Sequence, residues 1–116
     1  MSPVHDLKEV QRQARTSPTI VLINDPNATE TVAATLSLDE ARARAFILAL
    51  LCRLTPDHYA GPFPAMAPPA DVYGIFSDGW GWYLKISLRH GRLNVHSCHP
   101  PTDPLRTQLE TVTRRL

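Results

Sequence analysis

The sequence predicts an α+β fold in which N-terminal helices pack on a three-stranded, or slightly larger, antiparallel sheet, with an added C-terminal helix. Three observations predict it. The stretch Ala45–Leu54 is apolar almost all round, which is typical of a buried helix. Residues 71–99 then hold strand-like runs separated by short turns. Residues 103–116 carry an apolar stripe with helical spacing. We expect the 116 residues to form a single domain, 1–116.

Helical patterns dominate residues 1–69. His5–Arg15 predicts a short polar helix, Thr19–Ile23 a short strand or extended segment, and Ala28–Leu36 one or two helical turns. Ser37 has the capping-box spacing for the strongest helix, Leu38–Leu54, which we expect to cover the apolar face of the sheet. Residues 56–69 are rich in proline and predict a rigid loop.

Turn residues divide the second half of the chain into strands. Ser77-Asp78-Gly79 and His90-Gly91 are turn signals, and Pro100 ends the last run because proline cannot donate to a strand ladder. Asp103 and Pro104 are typical of a helix start, so residues 103–116 are predicted to be a closing helix. The predicted strands are Val72–Phe76, Gly81–Arg89 and Arg92–His99.

The composition argues against several classes of protein. The hydrophobic fraction is 43%, and the longest purely apolar run, Ala45–Cys52, is far too short to cross a bilayer. The sequence does not open with a basic segment followed by an apolar one, so no secretory signal is expected. Two cysteines do not make a disulfide framework. We therefore expect a cytoplasmic protein that does not act on membranes.

The segment Trp80–Pro101, called the basic hairpin below, is unevenly charged. The net charge of the whole chain is only +1, yet this segment holds Lys85, Arg89, Arg92 and three histidines without any acidic residue. Alternation turns its apolar side chains to one face and its polar side chains to the other. A face of cations, imidazoles and a phenol suits a phosphodiester. The polar positions of the first strand are Tyr83, Lys85, Ser87 and Arg89.

These residue types fit RNA cleavage, because RNA supplies its own nucleophile. A base must remove the proton of a 2′-hydroxyl, an acid must protonate the leaving 5′-oxygen, and cations must stabilise the charge on phosphorus. We assign His99 as general base or acid, and Tyr83 as acid or as the group that positions the base. Lys85 and Arg89 are the expected phosphate clamps, with Arg92 as a further RNA contact.

Strand register leaves two candidates for the catalytic imidazole. With a two-residue turn at His90-Gly91, regular pairing places His96 beside Lys85 and sends His99 to the opposite face. A β-bulge near Ser97 would instead turn His99 towards Lys85. Both histidines are kept as candidates, with His99 ahead.

Plainer interpretations exist for several residues. Lys85 and Arg89 can serve solubility alone. His58 and Tyr59 either anchor the proline-rich loop or line the site as RNA contacts. The run His96-Ser97-Cys98-His99 invites a metal interpretation, but alternation separates its side chains and no fourth ligand is evident nearby. Neither a metal nor a cofactor is therefore expected.

Several short motifs also occur in a particular order. The helical segment LSLDEARARAFILALLCRLTPDHY is followed by Asp71-Val72-Tyr73, then Tyr83-Leu84-Lys85-Ile86, then NVHSCH. With this order, the chain resembles the MqsR family (motility quorum-sensing regulator), toxins of bacterial type II toxin–antitoxin pairs. The resemblance covers Leu7 to Pro101. It implies a RelE-like fold and a metal-free endoribonuclease that cleaves messenger RNA and is held inactive by a cognate antitoxin. Association with the ribosome and formation of a homo-oligomer are left open.

The resemblance matches some family positions and departs from others. The strand tyrosine of the family falls on Tyr83, the lysine beside it on Lys85, and the basic residue ending the last strand on His99. Ala60 and Ala70 stand where the family has a lysine and a glutamine. These departures favour an alternative, a catalytically weak or inactive relative that binds RNA, the ribosome or a protein partner without cleavage. An unrelated enzyme acting on a small phosphate ester is a third option.

Overall fold

A computed structural model describes residues 2–116 of the chain. Its helices are α1 (Leu7–Thr16), α2 (Thr29–Leu36) and α3 (Glu40–Arg53), and a 3₁₀ turn follows at Pro56–His58. Its strands are β1 (Leu22–Ile23), β2 (Tyr59–Phe63), β3 (Ala70–Ser77), β4 (Trp80–Arg89), β5 (Arg92–His99), β6 (Leu105–Arg106) and β7 (Thr111–Val112).

The first five strands form one mixed sheet in the order β1-β5-β4-β3-β2. β4 pairs antiparallel with both β3 and β5, and β2 pairs antiparallel with β3. β1 pairs with β5 in parallel, with Leu22 opposite Asn94. The predicted α+β class is confirmed, although the sheet has five strands and is not purely antiparallel.

The helices cover one face of this sheet, called the inner face below. Trp82 and Leu84 of β4 are fully buried there, in one apolar cluster with Ile47 and Leu50 of α3. The ring of Phe46 meets Trp82 edge-on, with 5.2 Å between the ring centroids. The central helix therefore covers the apolar face, as predicted. The opposite face of the sheet is called the outer face.

Helix α3 begins later than predicted because Asp39, not Ser37, is its N-cap. The Asp39 carboxylate accepts a hydrogen bond of 2.8 Å from the backbone N–H of Arg42. Ser37 ends α2 instead, in the left-handed conformation with φ of 55°. None of the helices within residues 2–116 has the length and apolar character that crossing a membrane requires.

The prediction of a rigid loop over residues 56–69 is wrong in its first part. Thr55 caps the 3₁₀ turn, and β2 then pairs with β3. β2 lies at the edge of the sheet, where a strand tolerates a proline such as Pro62. Proline content alone therefore does not exclude a strand here.

The predicted C-terminal helix is also wrong, because β6 and β7 form a separate two-stranded hairpin. Thr107 closes its turn, since its hydroxyl oxygen accepts hydrogen bonds from the N–H groups of Leu109 and Glu110. The apolar residues that suggested a helical stripe do not share one face. Val112 is fully buried, whereas Leu109 is 54% and Leu116 83% exposed.

This C-terminal hairpin lies on the outer face of the sheet, over two glycines. A Cβ atom at Gly81 would stand 1.8 Å from the carbonyl oxygen of Thr113, and one at Gly74 would stand 2.8 Å from a methyl carbon of Leu105. The Gly81 N–H also donates to the carbonyl of Arg114 at 3.0 Å. Glycine at these positions lets the backbone of the hairpin approach the sheet closely.

Replacing Gly81 with alanine should displace the C-terminal hairpin. We expect Gly81→Ala to lower the free energy of unfolding by about 1–3 kcal/mol, the usual cost of overpacking, and to speed hydrogen exchange at the hairpin amides. Gly79→Ala is the control, since no atom lies within 4 Å of its added Cβ and only its positive φ of 82° is strained. Equal exchange at these amides in both variants would contradict the close approach.

Candidate functional site

A β-bulge in β5 decides which histidine joins the polar side chains of β4. Lys85 lies opposite Ser97, and the next residue of β4, Ile86, lies opposite Val95. His96 is therefore the extra residue of a bulge, and alternation changes phase beyond it. Of the two registers that the sequence leaves open, the structure has the bulged one.

The change of phase brings His99 to the outer face beside Tyr83. The two residues are register partners, and their rings stack with 5.0 Å between centroids and 16° between planes. Together with Lys85 and Ser97 they line a cleft of about 350 Å³. The segment from Pro101 to Leu105, which leads into the C-terminal hairpin, forms the other wall of this cleft.

The hydrogen bond of His99 determines which ring nitrogen is available. Nδ1 lies 2.8 Å from the carbonyl oxygen of Pro100, which can only accept, so Nδ1 carries the proton. In the neutral ring, Nε2 then holds the lone pair that a general base needs. Burial raises the pKa of Tyr83, so its phenol stays protonated at neutral pH and acts as a donor.

Lys85 supplies a positive charge that forms no salt bridge within residues 2–116, although Asp103 lines the same cleft. Its Nζ atom lies 3.9 Å from the centroid of the Phe63 ring, a cation–π contact that leaves ammonium protons for other acceptors. The salt bridges within residues 2–116 are on the helical side of the molecule and involve neither Lys85 nor Arg89. The cleft can therefore attract an anion.

His96 lies outside this cleft, in a second polar cluster further along the outer face. Its Nε2 atom is 2.7 Å from the hydroxyl of Ser87, which is fully buried. Burial lowers the pKa of His96, and the positive charges of Arg89 and Lys85 lower it further. Within the described part of the chain, the buried Nε of Arg89 has no hydrogen-bond partner. We call His96, Ser87 and Arg89 the Arg89 cluster.

The remaining predicted RNA contacts do not line the cleft. Tyr59 is buried and donates its hydroxyl hydrogen to Asp71, at 3.0 Å. His58 accepts at Nδ1 from the backbone N–H of Thr55 and so belongs to the cap of the 3₁₀ turn. Of the two interpretations of His58 and Tyr59, anchoring is the one their hydrogen bonds support. Arg92 is exposed and donates through Nε to the carbonyl oxygen of Ile20.

The run His96-Ser97-Cys98-His99 does not form a set of metal ligands. Cys98 is fully buried on the inner face, and burial raises the pKa of its thiol. His99 lies on the outer face beside Tyr83, so the run His96-Ser97-Cys98-His99 does not converge. In the part of the chain that the structure describes, no group of three or more His, Cys, Asp or Glu residues is arranged to hold a metal ion.

The sequence does not predict the positions of several residues around the site. Ser97 and Asp103 line the cleft, but their places depend on the bulge and on the C-terminal hairpin. His5 connects β4 to the residue just before β3. Its Nδ1 accepts from the N–H of Leu88, and its Nε2 lies 2.9 Å from the carbonyl oxygen of Pro69. No local pattern at His5 signals these contacts, because the partners are more than 60 residues away.

The two departures from the MqsR pattern also lie apart from the cleft. Ala70 is fully buried and pairs with Phe63 in the sheet. Ala60 lies at the irregularity in β2 and lines a smaller cavity beside Arg106 and Thr107. Neither alanine is among the residues that line the cleft.

Comparisons of the chain with models of protein families, with curated proteins and with solved structures find no match. The chemistry of the cleft therefore has to follow from its own residues.

The titration of His96 tests the surroundings of the Arg89 cluster. We expect an NMR titration midpoint below 6.5, because the imidazolium would be desolvated and would face the positive charges of Arg89 and Lys85. The unfolded chain then binds the proton first, so His96 lowers stability as the pH falls through about 6.5. Arg89→Gln should raise the midpoint, whereas Arg15→Gln on α1 should not. A wild-type midpoint above 6.5 would contradict this arrangement.

Proposed function

We propose that the chain is a metal-free endoribonuclease that cleaves single-stranded RNA, messenger RNA in the first place, by attack of the 2′-hydroxyl on the adjacent phosphate. The observation that carries the proposal is the stacked pair of Tyr83 and His99 beside Lys85, which forms no salt bridge within residues 2–116, in a cleft open to solvent. These groups offer a base, a proton donor and a fixed positive charge within one site.

In this proposal, His99 is the general base. Its Nδ1 proton is held by the Pro100 carbonyl, so the lone pair on Nε2 receives the 2′-hydroxyl proton. The stacked ring of Tyr83 restricts rotation of the imidazole and keeps that nitrogen in one orientation. The attacking oxygen then forms a bond to phosphorus and the bond to the 5′-oxygen breaks, which leaves a 2′,3′-cyclic phosphate.

Lys85 and Tyr83 act on the phosphate and the leaving group. The Lys85 ammonium stabilises the additional negative charge that develops on the phosphorane oxygens. The phenol of Tyr83 is held protonated by its burial and donates its proton to the leaving 5′-oxygen. His99 subsequently releases the proton that it received, and the Tyr83 phenolate takes up a proton through solvent, so both groups return to their starting states.

At the level of the cell, we propose that the chain is the toxin of a bacterial type II toxin–antitoxin pair. The support is the order of MqsR-like motifs along the chain, together with the outward position of Tyr83, Lys85 and His99, which occupy the matching positions. An antitoxin that covers the cleft would keep RNA away from it.

Replacing His99 should abolish cleavage without unfolding the protein. We expect His99→Asn to cut a labelled single-stranded RNA about 10²–10⁴-fold more slowly, the usual contribution of a general base. His90→Asn is the matched control, since His90 is exposed at the hairpin turn and its φ of 53° suits asparagine. Thermal unfolding shows whether both variants fold. Undiminished cleavage by folded His99→Asn would remove His99 from the mechanism.

The second candidate function is RNA or ribosome binding without cleavage. Ala60 and Ala70 favour it, because two polar groups of the MqsR pattern are missing. The cleft also holds a single imidazole, so base and acid cannot both be histidines.

Induced expression in a bacterial host separates the two functions. The endoribonuclease predicts growth arrest with fragmented messenger RNA, and His99→Asn should relieve both. Arrest with intact RNA that persists in His99→Asn would instead support binding alone. Growth and RNA integrity are measured in the same cultures.

A further inference from the structure

The polar groups of the outer face extend beyond the cleft. Tyr83 and Lys85 line the cleft, and the next outward positions of β4 are Ser87 and Arg89. On β5, the bulge adds His96 beside Ser87. The Arg89 cluster is therefore continuous with the cleft, although none of its members lines it.

We propose that the Arg89 cluster is a second anion-binding subsite, which holds a neighbouring phosphate of the same RNA strand. The proposal rests on the endoribonuclease function above and extends it. RNA would lie along β4, with the reacting phosphate between His99 and Lys85 and the next phosphate at Arg89.

The cluster has positive charge that nothing in the fold compensates. The salt bridges of residues 2–116 do not include Arg89, and its buried Nε has no hydrogen-bond partner in that part of the chain. A buried N–H donor without an acceptor is costly, so Arg89 would gain if its guanidinium turned to meet an arriving phosphate oxygen.

A carboxylate on the neighbouring strand does not reach the cluster. Asp71 of β3 lies opposite Ile86 and is fully buried. Its oxygens accept hydrogen bonds from the backbone N–H groups of Val4 and His5 and from the Tyr59 hydroxyl. The negative charge of Asp71 is thus satisfied on the inner face and does not offset that of Arg89.

His96 completes the subsite with a neutral donor. The lowered pKa of His96 keeps its ring uncharged at neutral pH, so it does not repel Arg89. The hydroxyl of the fully buried Ser87 can donate to Nε2 of His96, at 2.7 Å, which leaves the Nδ1–H of His96 to donate to a phosphate oxygen. His5 has both ring nitrogens engaged with backbone groups and therefore offers no further donor.

The spacing along β4 allows two phosphates to be held at once. Outward residues of a strand repeat every two positions, which is roughly 6.8 Å, so Lys85 and Arg89, four positions apart, are roughly 13.6 Å apart along the strand. Their long, flexible side chains can lean towards each other, so one can hold the reacting phosphate while the other holds a second phosphate of the same strand.

Short oligonucleotides test the subsite directly. The probes are 2′-O-methyl dinucleotides with no terminal phosphate, with a 5′-phosphate or with a 3′-phosphate, which cannot be cut. Dissociation constants are measured by NMR titration of the full chain. We expect one phosphorylated probe to bind about tenfold more tightly than the unphosphorylated one and to shift the His96 resonances. The end that gives this gain tells the direction of the RNA.

Variants connect the gain to Arg89. Arg89→Gln should remove the gain from the terminal phosphate, so that phosphorylated and unphosphorylated dinucleotides bind equally tightly, whereas Arg89→Lys should retain part of the gain. Arg15→Gln, an exposed position on α1, is the control and should keep the whole gain. The slope of log affinity against log salt for a longer single strand should fall by about 0.7 in Arg89→Gln, the value for one lost phosphate contact.

The failure of this inference is distinguishable from that of the proposed function. No gain from either terminal phosphate in the wild type, or the same gain in Arg89→Gln, would overturn the subsite even if His99 proves essential for cleavage. A gain that Arg15→Gln also loses would overturn it too, since it would reflect overall charge. Conversely, full cleavage by His99→Asn would overturn the mechanism while the phosphate gain at Arg89 could still be measured.

Discussion

The outer face depends on one extra residue in β5. Without His96 as the bulge, regular alternation would turn Cys98 outward and bury the His99 imidazole against α3. The backbone at the bulge is held from the other half of the chain, because the Cys98 N–H donates to the Asn27 carbonyl at 2.8 Å and the Asn24 amide lies 3.4 Å from the His96 carbonyl. The turn between β1 and α2 therefore stabilises the register on which the cleft depends.

The segregation of charge between the two faces follows from Asp71. A fully buried carboxylate needs several donors, and the backbone of residues 4 and 5 supplies two of them. This demand fixes the N-terminal arm against the sheet, and it places the imidazole of His5 between Pro69 and Leu88. A molecule of net charge +1 thus keeps Lys85 and Arg89 out of salt bridges on the outer face through placement rather than composition.

Local signals in the sequence predicted the hairpin of β4 and β5 almost to the residue, because alternation and the His90-Gly91 turn are both local. They also predicted Tyr83, Lys85 and His99 as candidates that the structure brings together, with His99 left subject to the bulge. The C-terminal hairpin was missed because Leu105, Leu109, Val112 and Leu116 have helical spacing. The hairpin forms instead because Gly74 and Gly81, which have no side chains, let it approach the sheet closely, and both glycines are distant in sequence. The parallel pairing of β1 and the contacts of His5 are equally long-range.

A cleft with one imidazole and a phenol of raised pKa has limited acid–base power, so in the reaction that we propose, positioning would have to supply much of the rate. Binding energy from a phosphate that does not react could hold the reacting phosphate against His99, because the residues that contact the two phosphates lie on the same strand, β4. Arg89 and Lys85 on β4 are suited to this, since their backbone positions are fixed by pairing on both sides or by the hairpin itself. Such contacts recognise the RNA backbone rather than its bases. Any preference for particular bases would therefore come from the walls of the cleft, and above all from the segment between Pro101 and Leu105.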